Sequence, residues 1–504
     1  MRERRVKLAT DQVFSRAAGA ALLEGNHVEL LCDACENYPA WKEAIAAARV
    51  YVHFEIYIFT DDEVGQEFSA LLQEKARQGV QVRVIYDWLG AIGKTSGRFW
   101  RELRGAGAEV RAFNPPNLGE PFGWLRRDHR KCLVVDGEVA FVTGLCLGKV
   151  WTGDPEKNLA PWRDTGVLVR GPAVREVALA FAEMWSQVGE PLPAEIVPEP
   201  AAPESLAADP GARHPDRAGD IAVRVVAASP GTGSIFRLDL AVASAAHKTL
   251  WLTDAYYAGT SSYVEALRAA AQDGVDVRLL VPGRGSDIAV VQAISRAGYR
   301  SLLEAGIRVF EWNGPMIHAK SAVADGRWAR VGSTNLNISS WVGNWELDLV
   351  IENEGFARLM EEQYLADLEC ATEVVLQSRR VLPAGEHPAR RRLRGGGGSA
   401  GRAAMGAIRM GRVLGAVMTS KLLGPAEARL MERSGLLLVV LSPIAVLWPQ
   451  VIAWPFAFFA LWLGISLVIG ALRARNSASR LKVAKAPAKL AEAAQQEPPA
   501  AAGG

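Results

Sequence analysis

Cysteine and histidine are both scarce in this chain of 504 residues, with five of the first and seven of the second. Cys32 and Cys35 form a lone CxxC with no second metal-ligating pair to complete it. A structural zinc site takes four ligands, and a disulfide scaffold belongs to short, cysteine-dense secreted chains. Both are excluded, and the cysteines read as small buried residues of a reducing compartment. No glycine-rich P-loop occurs either, so a nucleotide-phosphate cradle of that kind is absent. No secretory signal is expected: Met1–Arg5 is basic, but Asp11 follows early and the run Ala17–Leu23 is short and broken by Gly19.

Net charge is also nearly absent, at +2, yet it is distributed unevenly. Residues 1–378 carry 39 Lys and Arg against 50 Asp and Glu; residues 379–433 carry 12 against 3, and residues 473–504 carry 6 against 2. Between the two basic segments, the 38 residues Gly435–Leu472 hold no charge at all. A spanning helix needs about 20 apolar residues, and one buried core helix does not run to twice that. Pro443, Pro449 and Pro455 interrupt the stretch, with a natural break at Trp448–Pro455. Arg429 and Arg433 precede it, and Arg473, Arg475 and Arg480 follow. Basic flanks stay cytoplasmic, so the reading is a hairpin with both ends in the cytoplasm, or else a single span. Upstream, Gly395–Gly398 is a flexible linker. Gly401–Leu423 sets Arg402, Arg409, Arg412 and Lys421 among apolar residues. That pattern suits an interfacial helix facing anionic headgroups, or a solvated linker.

The acidic body is duplicated. Arg77–Ile85 (RQGVQVRVI) matches Gln272–Leu280 (QDGVDVRLL), and Ala106–Asn114 matches Ala305–Asn313. Val50–Phe59 and Leu250–Tyr257 occupy the same place upstream in each half. Each unit reads as helix end, glycine stop and apolar strand. Strands alternating with helices imply a mixed or parallel sheet covered by helices. Pro191–Asp220, rich in Pro and Ala, reads as the linker between halves.

Each half then presents the same polar pattern. His129-Arg-Lys131 is followed by Asp136, and His318-Ala-Lys320 by Asp325, so both copies read HxKxxxxD. On a strand, residues two apart face one side, so His and Lys project together in each copy. Ser333, Asn335 and Glu346 follow the second copy; Thr143-Gly-Leu-Cys146 and then Asp164 follow the first. Lys and Asn donate to phosphate oxygens. One neutral His can attack phosphorus while a protonated second His protonates the leaving oxygen, and a carboxylate on the far ring nitrogen fixes tautomer and orientation. With no metal-ligand set and no cofactor motif, the pattern suits metal-free phosphodiester transfer at a site where the two copies meet.

The duplicated HxKxxxxD with Gly332-Ser-Thr-Asn335 resembles the phospholipase D superfamily over nearly all of residues 20–375. Gly25–Leu31, Phe54–Phe59, His129-Arg-Lys131, Pro161-Trp-Arg-Asp164 and Asn335-Leu-Asn are similar to bacterial cardiolipin synthase, B-type in particular. The resemblance implies an α/β fold of two phospholipase D-like repeats, each a mixed sheet flanked by helices, related by a pseudo-two-fold axis and here followed by the membrane hairpin. Residues 1–24 would be an arm, 25–190 and 221–375 the repeats, 191–220 the linker, 376–434 the basic segment, 435–472 the membrane segment and 473–504 a basic tail. It implies a phosphohistidine intermediate on His129 with His318 as general acid and base, or the reverse. Lys131, Lys320 and Asn335 would hold phosphate, supported by Ser333, and Glu346 and Asp164 would orient the histidines. Asp136 and Asp325 are counted with the catalytic set, pairing with backbone or with Lys across the motif. Phosphatidylglycerol, and phosphatidylethanolamine as another donor, are the implied lipids, at an anionic bacterial inner membrane with the repeats on the cytoplasmic side. Nucleic acid is not an expected partner, because the acidic body would repel it. Hydrolysis by water, a phospholipase D proper, is the alternative outcome. Cys146 departs from the family pattern, which has Asn there; loss of one donor to a transferring phosphoryl group costs ~2–4 kcal/mol and keeps a degenerate, non-catalytic reading open. A second departure is the loop between Asn114 and His129, 14 residues against 4 between Asn313 and His318. Its Trp124 and Arg126 suit a lipid interface, or else pack as an ordinary loop.

Overall fold

The computed structural model describes residues 11–116, 126–157, 159–198 and 217–376, with Leu461 alone beyond them. The chain divides into Met1–Thr419 and Ser420–Gly504, and every described residue except Leu461 belongs to the first unit. The first half supplies β1 (Leu23–Cys32), β2 (Tyr51–Ile56), β3 (Gln81–Asp87), β4 (Glu109–Phe113), β5 (Cys132–Val135), β6 (Val139–Thr143) and β7 (Thr165–Arg170). The second supplies β8 (Ile221–Ala228), β9 (Thr249–Thr253), β10 (Asp276–Pro282), β11 (Arg308–Trp312), β12 (Ser321–Ala324), β13 (Trp328–Gly332), β14 (Glu346–Glu352) and β15 (Ala371–Val374).

All of them join one 15-stranded sheet in the order β15-β11-β10-β9-β12-β13-β14-β8-β1-β7-β6-β5-β2-β3-β4. Outward from the central β1–β8 seam, both halves follow the same sequence of equivalent strands, and only β15 is extra. This is the pseudo-two-fold arrangement of two repeats. β2, β3 and β4 are parallel, as are β9, β10 and β11, whereas β5–β6–β7 and β12–β13–β14 are antiparallel meanders, so the sheet is mixed.

The sequence accounts for these elements locally. β2 and β3 are buried along nearly their whole length, as parallel strands covered on both faces must be. The helix Glu63–Arg77 begins where Asp62 accepts the Gly65 amide at 3.0 Å and buries Phe68 and Leu72. Each such side chain contributes about 2–3 kcal/mol when fully buried. One apolar cluster bridges the repeats: Val134, Val142 and Val167 pack with Val225, Leu347 and Leu349 beneath the helices Ala173–Gln187 and Glu354–Glu369. The two repeats therefore share a core, and their motif ends meet at a fixed position.

Among the described residues no helix is long and apolar enough to cross a membrane. The expected hairpin over 435–472, the basic segments on either side of it and Trp124 all lie outside the described residues. The expectation for the cysteines needs correction: Cys132 and Cys146 are buried, but Cys35 and Cys370 are exposed and Cys32 is half-buried.

Candidate active site

Both motifs sit just ahead of a short central strand, β5 or β12, and each is stitched to the opposite repeat. His129 donates its amide to the Trp345 carbonyl at 2.9 Å, and Trp345 returns its own to Arg127 at 2.9 Å. In the mirror position His318 donates to the Arg163 carbonyl at 2.7 Å, and Arg163 to Met316 at 2.9 Å. Trp345 precedes Glu346 and Arg163 precedes Asp164. The two acids are thus delivered crosswise: His129 Nδ1 lies 2.9 Å from Glu346 Oε2, and His318 Nδ1 lies 2.7 Å from Asp164 Oδ2. A carboxylate only accepts, so Nδ1 carries the hydrogen, and in the neutral ring Nε2 keeps its lone pair for chemistry.

Electrostatics fit that state. Burial lowers the pKa of His129, with Glu346 opposing the shift and Lys131 adding to it. Burial and then Lys320 bring His318 down to about 3. Burial works against ionisation of the two acids, yet His129 and Lys131 hold Glu346 below its ordinary value, and His318 and Lys320 do the same for Asp164. Burial brings Lys320 down to about 8, with Asp164 opposing and Lys131 assisting. Each histidine feels both lysines, so the four motif side chains form one cluster. Lys131 Nζ donates to the His129 carbonyl at 2.6 Å, and Lys320 donates to the His318 carbonyl in the same way.

Other expected residues are placed differently. The Ser333 hydroxyl donates to Glu346 Oε2 at 2.5 Å and accepts the Leu347 amide at 3.0 Å. It holds the carboxylate that holds His129, which corrects its expected role as a phosphate support. Asn335 is buried, and its Oδ1 has no hydrogen-bond partner. Cys146, the matching residue of the first repeat, is buried too, and burial raises its thiol pKa against the pull of Lys131. It is a neutral thiol in the lysine-bearing cluster.

Asp136 and Asp325 are not brought to the site, which corrects their inclusion in the catalytic set. Each lies at the far end of β5 or β12, about 16 Å along the strand from its Lys at ~3.3 Å per residue. Asp136 and Gly137 have φ of 53° and 69°, and Asp325 and Gly326 have 53° and 64°. These are the paired left-handed residues of a tight Asp-Gly hairpin turn. The Asp136 carboxylate accepts the amides of Arg49, Val50 and Tyr51 at 2.8–2.9 Å, and Asp325 accepts those of His247, Lys248 and Thr249 at 2.7–3.1 Å. The last residue of the motif thus fastens the hairpin to the start of β2 or β9. The Asp-Gly dipeptide between apolar strands was the signal for this.

Sequence reading missed several residues that touch the cluster. The Tyr57 ring lies 5.0 Å from that of His129 and 5.1 Å from Lys131 Nζ; Tyr256 lies 5.8 Å from the His318 ring and 5.7 Å from Lys320 Nζ. They occupy equivalent places in the duplicated strands, and that equivalence could have found them. Trp151 Nε1 donates to Asp164 Oδ2 at 3.2 Å, and its ring and that of Trp162 each lie 5.8 Å from His318. Trp151 does for Asp164 what Ser333 does for Glu346, because Gly144 stands at the position of Ser333. A Cβ on Gly144 would sit 2.2 Å from Asp164 Oδ1.

With this geometry in view, comparison with known proteins is direct. The family described as "Cardiolipin synthase, PLD-like domain" matches residues 41–161 and 240–368, one segment in each repeat. Cardiolipin synthase A of Pseudomonas fluorescens is 35% identical over 368 residues, 71% of this chain and 72% of its own. Cardiolipin synthase of Halalkalibacterium halodurans is 31% identical over 366 residues, 71% of this chain and 69% of its own. The chain belongs to the cardiolipin synthase family. A solved phosphatidylserine synthase from Haemophilus influenzae shares the fold, with a TM-score of 0.57 at 14% identity over 81% of this chain and 99% of that one. Membership in this family of phospholipase D-like phosphatidyltransferases makes the chain an enzyme. It places the histidine cluster, with an acid from each repeat on the opposite histidine, where such an enzyme does its chemistry.

Proposed function

We propose that the chain makes cardiolipin by moving a phosphatidyl group onto the hydroxyl of phosphatidylglycerol. His129 Nε2 attacks the phosphorus of a donor phospholipid. The bond from phosphorus to the headgroup oxygen breaks, and His318 gives that oxygen a proton. The phosphatidyl group then rests on His129. His318 next takes the proton from the acceptor hydroxyl, whose oxygen attacks phosphorus and releases His129. Lys131, Lys320 and the Asn335 amide face the phosphate oxygens, and a bound phosphodiester offsets the two lysines and raises the proton affinity of His318. The crossed pairs His129–Glu346 and His318–Asp164 carry this reading: two buried imidazoles, each with its Nδ1 held, leave two Nε2 atoms for attack and protonation.

Residues 435–472 would tether the repeats to the inner membrane as a hairpin, with the basic segments toward anionic headgroups and the repeats in the cytoplasm. Confinement with its lipids then raises effective concentration. Phosphatidylglycerol, with phosphatidylethanolamine as another donor, fits the family. Membranes carrying the chain are incubated with labelled phosphatidylglycerol, with and without phosphatidylethanolamine, and the lipids are followed by mass spectrometry. Cardiolipin that disappears in His129→Ala and His318→Ala supports the proposal. Phosphatidic acid alone would mean that water is the acceptor, and no turnover by folded protein would reject both.

A further inference from the structure

Beneath His129 lie two carboxyl groups that the chemistry above does not use. Glu55, on β2, and Asp128, next to His129, are both 0% exposed. Glu55 Oε2 accepts the Cys132 thiol at 3.5 Å, and Asp128 Oδ1 accepts the Arg130 amide at 3.2 Å. Their other oxygens, Glu55 Oε1 and Asp128 Oδ2, have no donor from the protein, while the two side chains are within hydrogen-bonding reach of each other. Two ionised carboxylates are acceptors only and cannot bond to one another; with a single proton between them they form a strong, charge-assisted bond.

We propose that Glu55 and Asp128 share one proton and are positioning residues for His129. The surrounding charges support this. Arg130 is the buried cation that acts on both acids, and its guanidinium also binds Glu183 and the carbonyls of Ala180, Ala228 and Glu346. Asp87 is occupied by Arg127 at 2.9 Å and by the amides of Gly90 and Asp128. Cys132 stays a neutral thiol, raised by burial and by Glu55. Glu55, Asp128 and Arg130 together are neutral only when the acids keep one proton. Burial, the largest influence on both, raises their proton affinity in the direction this requires.

The second repeat lacks the device. Asp254 takes the place of Glu55 but Ile317 takes that of Asp128, and both Asp254 oxygens accept backbone amides, from Leu336 at 2.8 Å and Tyr256 at 3.1 Å. The shared proton therefore distinguishes the His129 side from the His318 side. It ties β2, which carries Tyr57 against the His129 ring, to the segment that pairs with Trp345 and sets the distance from His129 to Glu346. Loss of the proton would leave two adjacent buried anions that repel each other, and His129 would move off both supports.

The positioning role rests on His129 being a reacting group; the shared proton does not. The full chain is compared with Glu55→Gln and Asp128→Asn, in which an amide N–H replaces the proton, and with Glu55→Leu and Asp128→Leu. At neutral pH the infrared spectrum should show the carbonyl band of a protonated carboxylic acid, lost in either amide variant. Turnover should stay within about threefold in the amide variants and fall by about tenfold or more, in kcat rather than KM, in the leucine variants, as slight misplacement of a reacting group does. The alkaline loss of activity caused by the pair should vanish in Asp128→Asn, while the step set by Lys320 remains. Absence of the band, or amide variants as inactive as the leucine variants, would overturn the proposal. If the wild-type chain makes no cardiolipin, the functional reading fails, and the band alone decides whether the proton is shared.

Discussion

Replacing Glu346 by Gln perturbs the account at its most specific point. The change is nearly isosteric. Ser333 and Asn344, which now donate to the carboxylate at 2.5 and 3.1 Å, can still donate to the amide oxygen. The backbone stitch between His129 and Trp345 at 2.9 Å is untouched. What disappears is the charge facing His129 Nδ1 at 2.9 Å. A hydrogen bond to a charged group contributes about 1.5–3 kcal/mol, and 1.36 kcal/mol is a factor of ten in rate. The expected loss in kcat is therefore about 10- to 150-fold, with KM little changed because the phosphate-facing lysines remain. Glu346 also raises the proton affinity of His129 against its burial, so the variant's His129 should titrate lower still. The assay is steady-state formation of cardiolipin by purified full-length protein in mixed micelles, over a range of pH, with circular dichroism to confirm folding. A folded variant within threefold of wild type would refute the reasoning. So would a loss confined to KM.

Three further outcomes follow from the same geometry. Asp325→Ala removes the acceptor for the amides of His247, Lys248 and Thr249, so it should lower thermal stability by ~1–3 kcal/mol while the folded fraction keeps its kcat. Loss of kcat at full stability would put Asp325 back in the chemistry. Gly144→Ala places a Cβ against Asp164, whose carboxylate is held by His318, Trp151 and the Thr165 amide. It should cost activity through His318, and an unimpaired variant would contradict the reading of that contact. Lys320 loses its proton as pH rises through about 8, so activity should fall above that pH, and Lys320→Arg, charged throughout, should retain more of its own maximum there. The unfolded chain holds that proton up to about 10.5, so this group makes stability rise with pH between those values, opposite in sign to its effect on activity.

Much of this was legible in the sequence because the chain is duplicated. HxK at two equivalent places, each with a following acid, identified His129, Lys131, His318, Lys320, Asp164 and Glu346 as one polar set, and the repeated strands implied the mixed sheet. What the sequence could not say is which acid serves which histidine. The exchange depends on β-bridges between segments more than 150 residues apart, such as Arg163 with Ile317 and Asp128 with Trp345, and nothing local encodes them. Ser333 was misread because a hydroxyl beside Asn335 suits a phosphate as well as it suits a carboxylate; only its distance to Glu346 separates the two. Asp136 and Asp325 were misread because spacing along a motif says nothing about direction along a strand, and four residues of β5 or β12 carry them away from the lysines. Trp151 was missed because its partner, Asp164, follows the seven-residue insertion that breaks the correspondence with the second repeat.

The central claim is covalent transfer through one histidine of the crossed pair. The direct measurement incubates the full-length chain with acyl-labelled phosphatidylglycerol, quenches it in alkali, digests it and searches the peptides by mass spectrometry. The account predicts a phosphatidyl group on the peptide containing His129, absent from His129→Ala and accumulating when the acceptor is withheld. Active protein that forms cardiolipin with no label on any histidine, or with the label on His318, would contradict it.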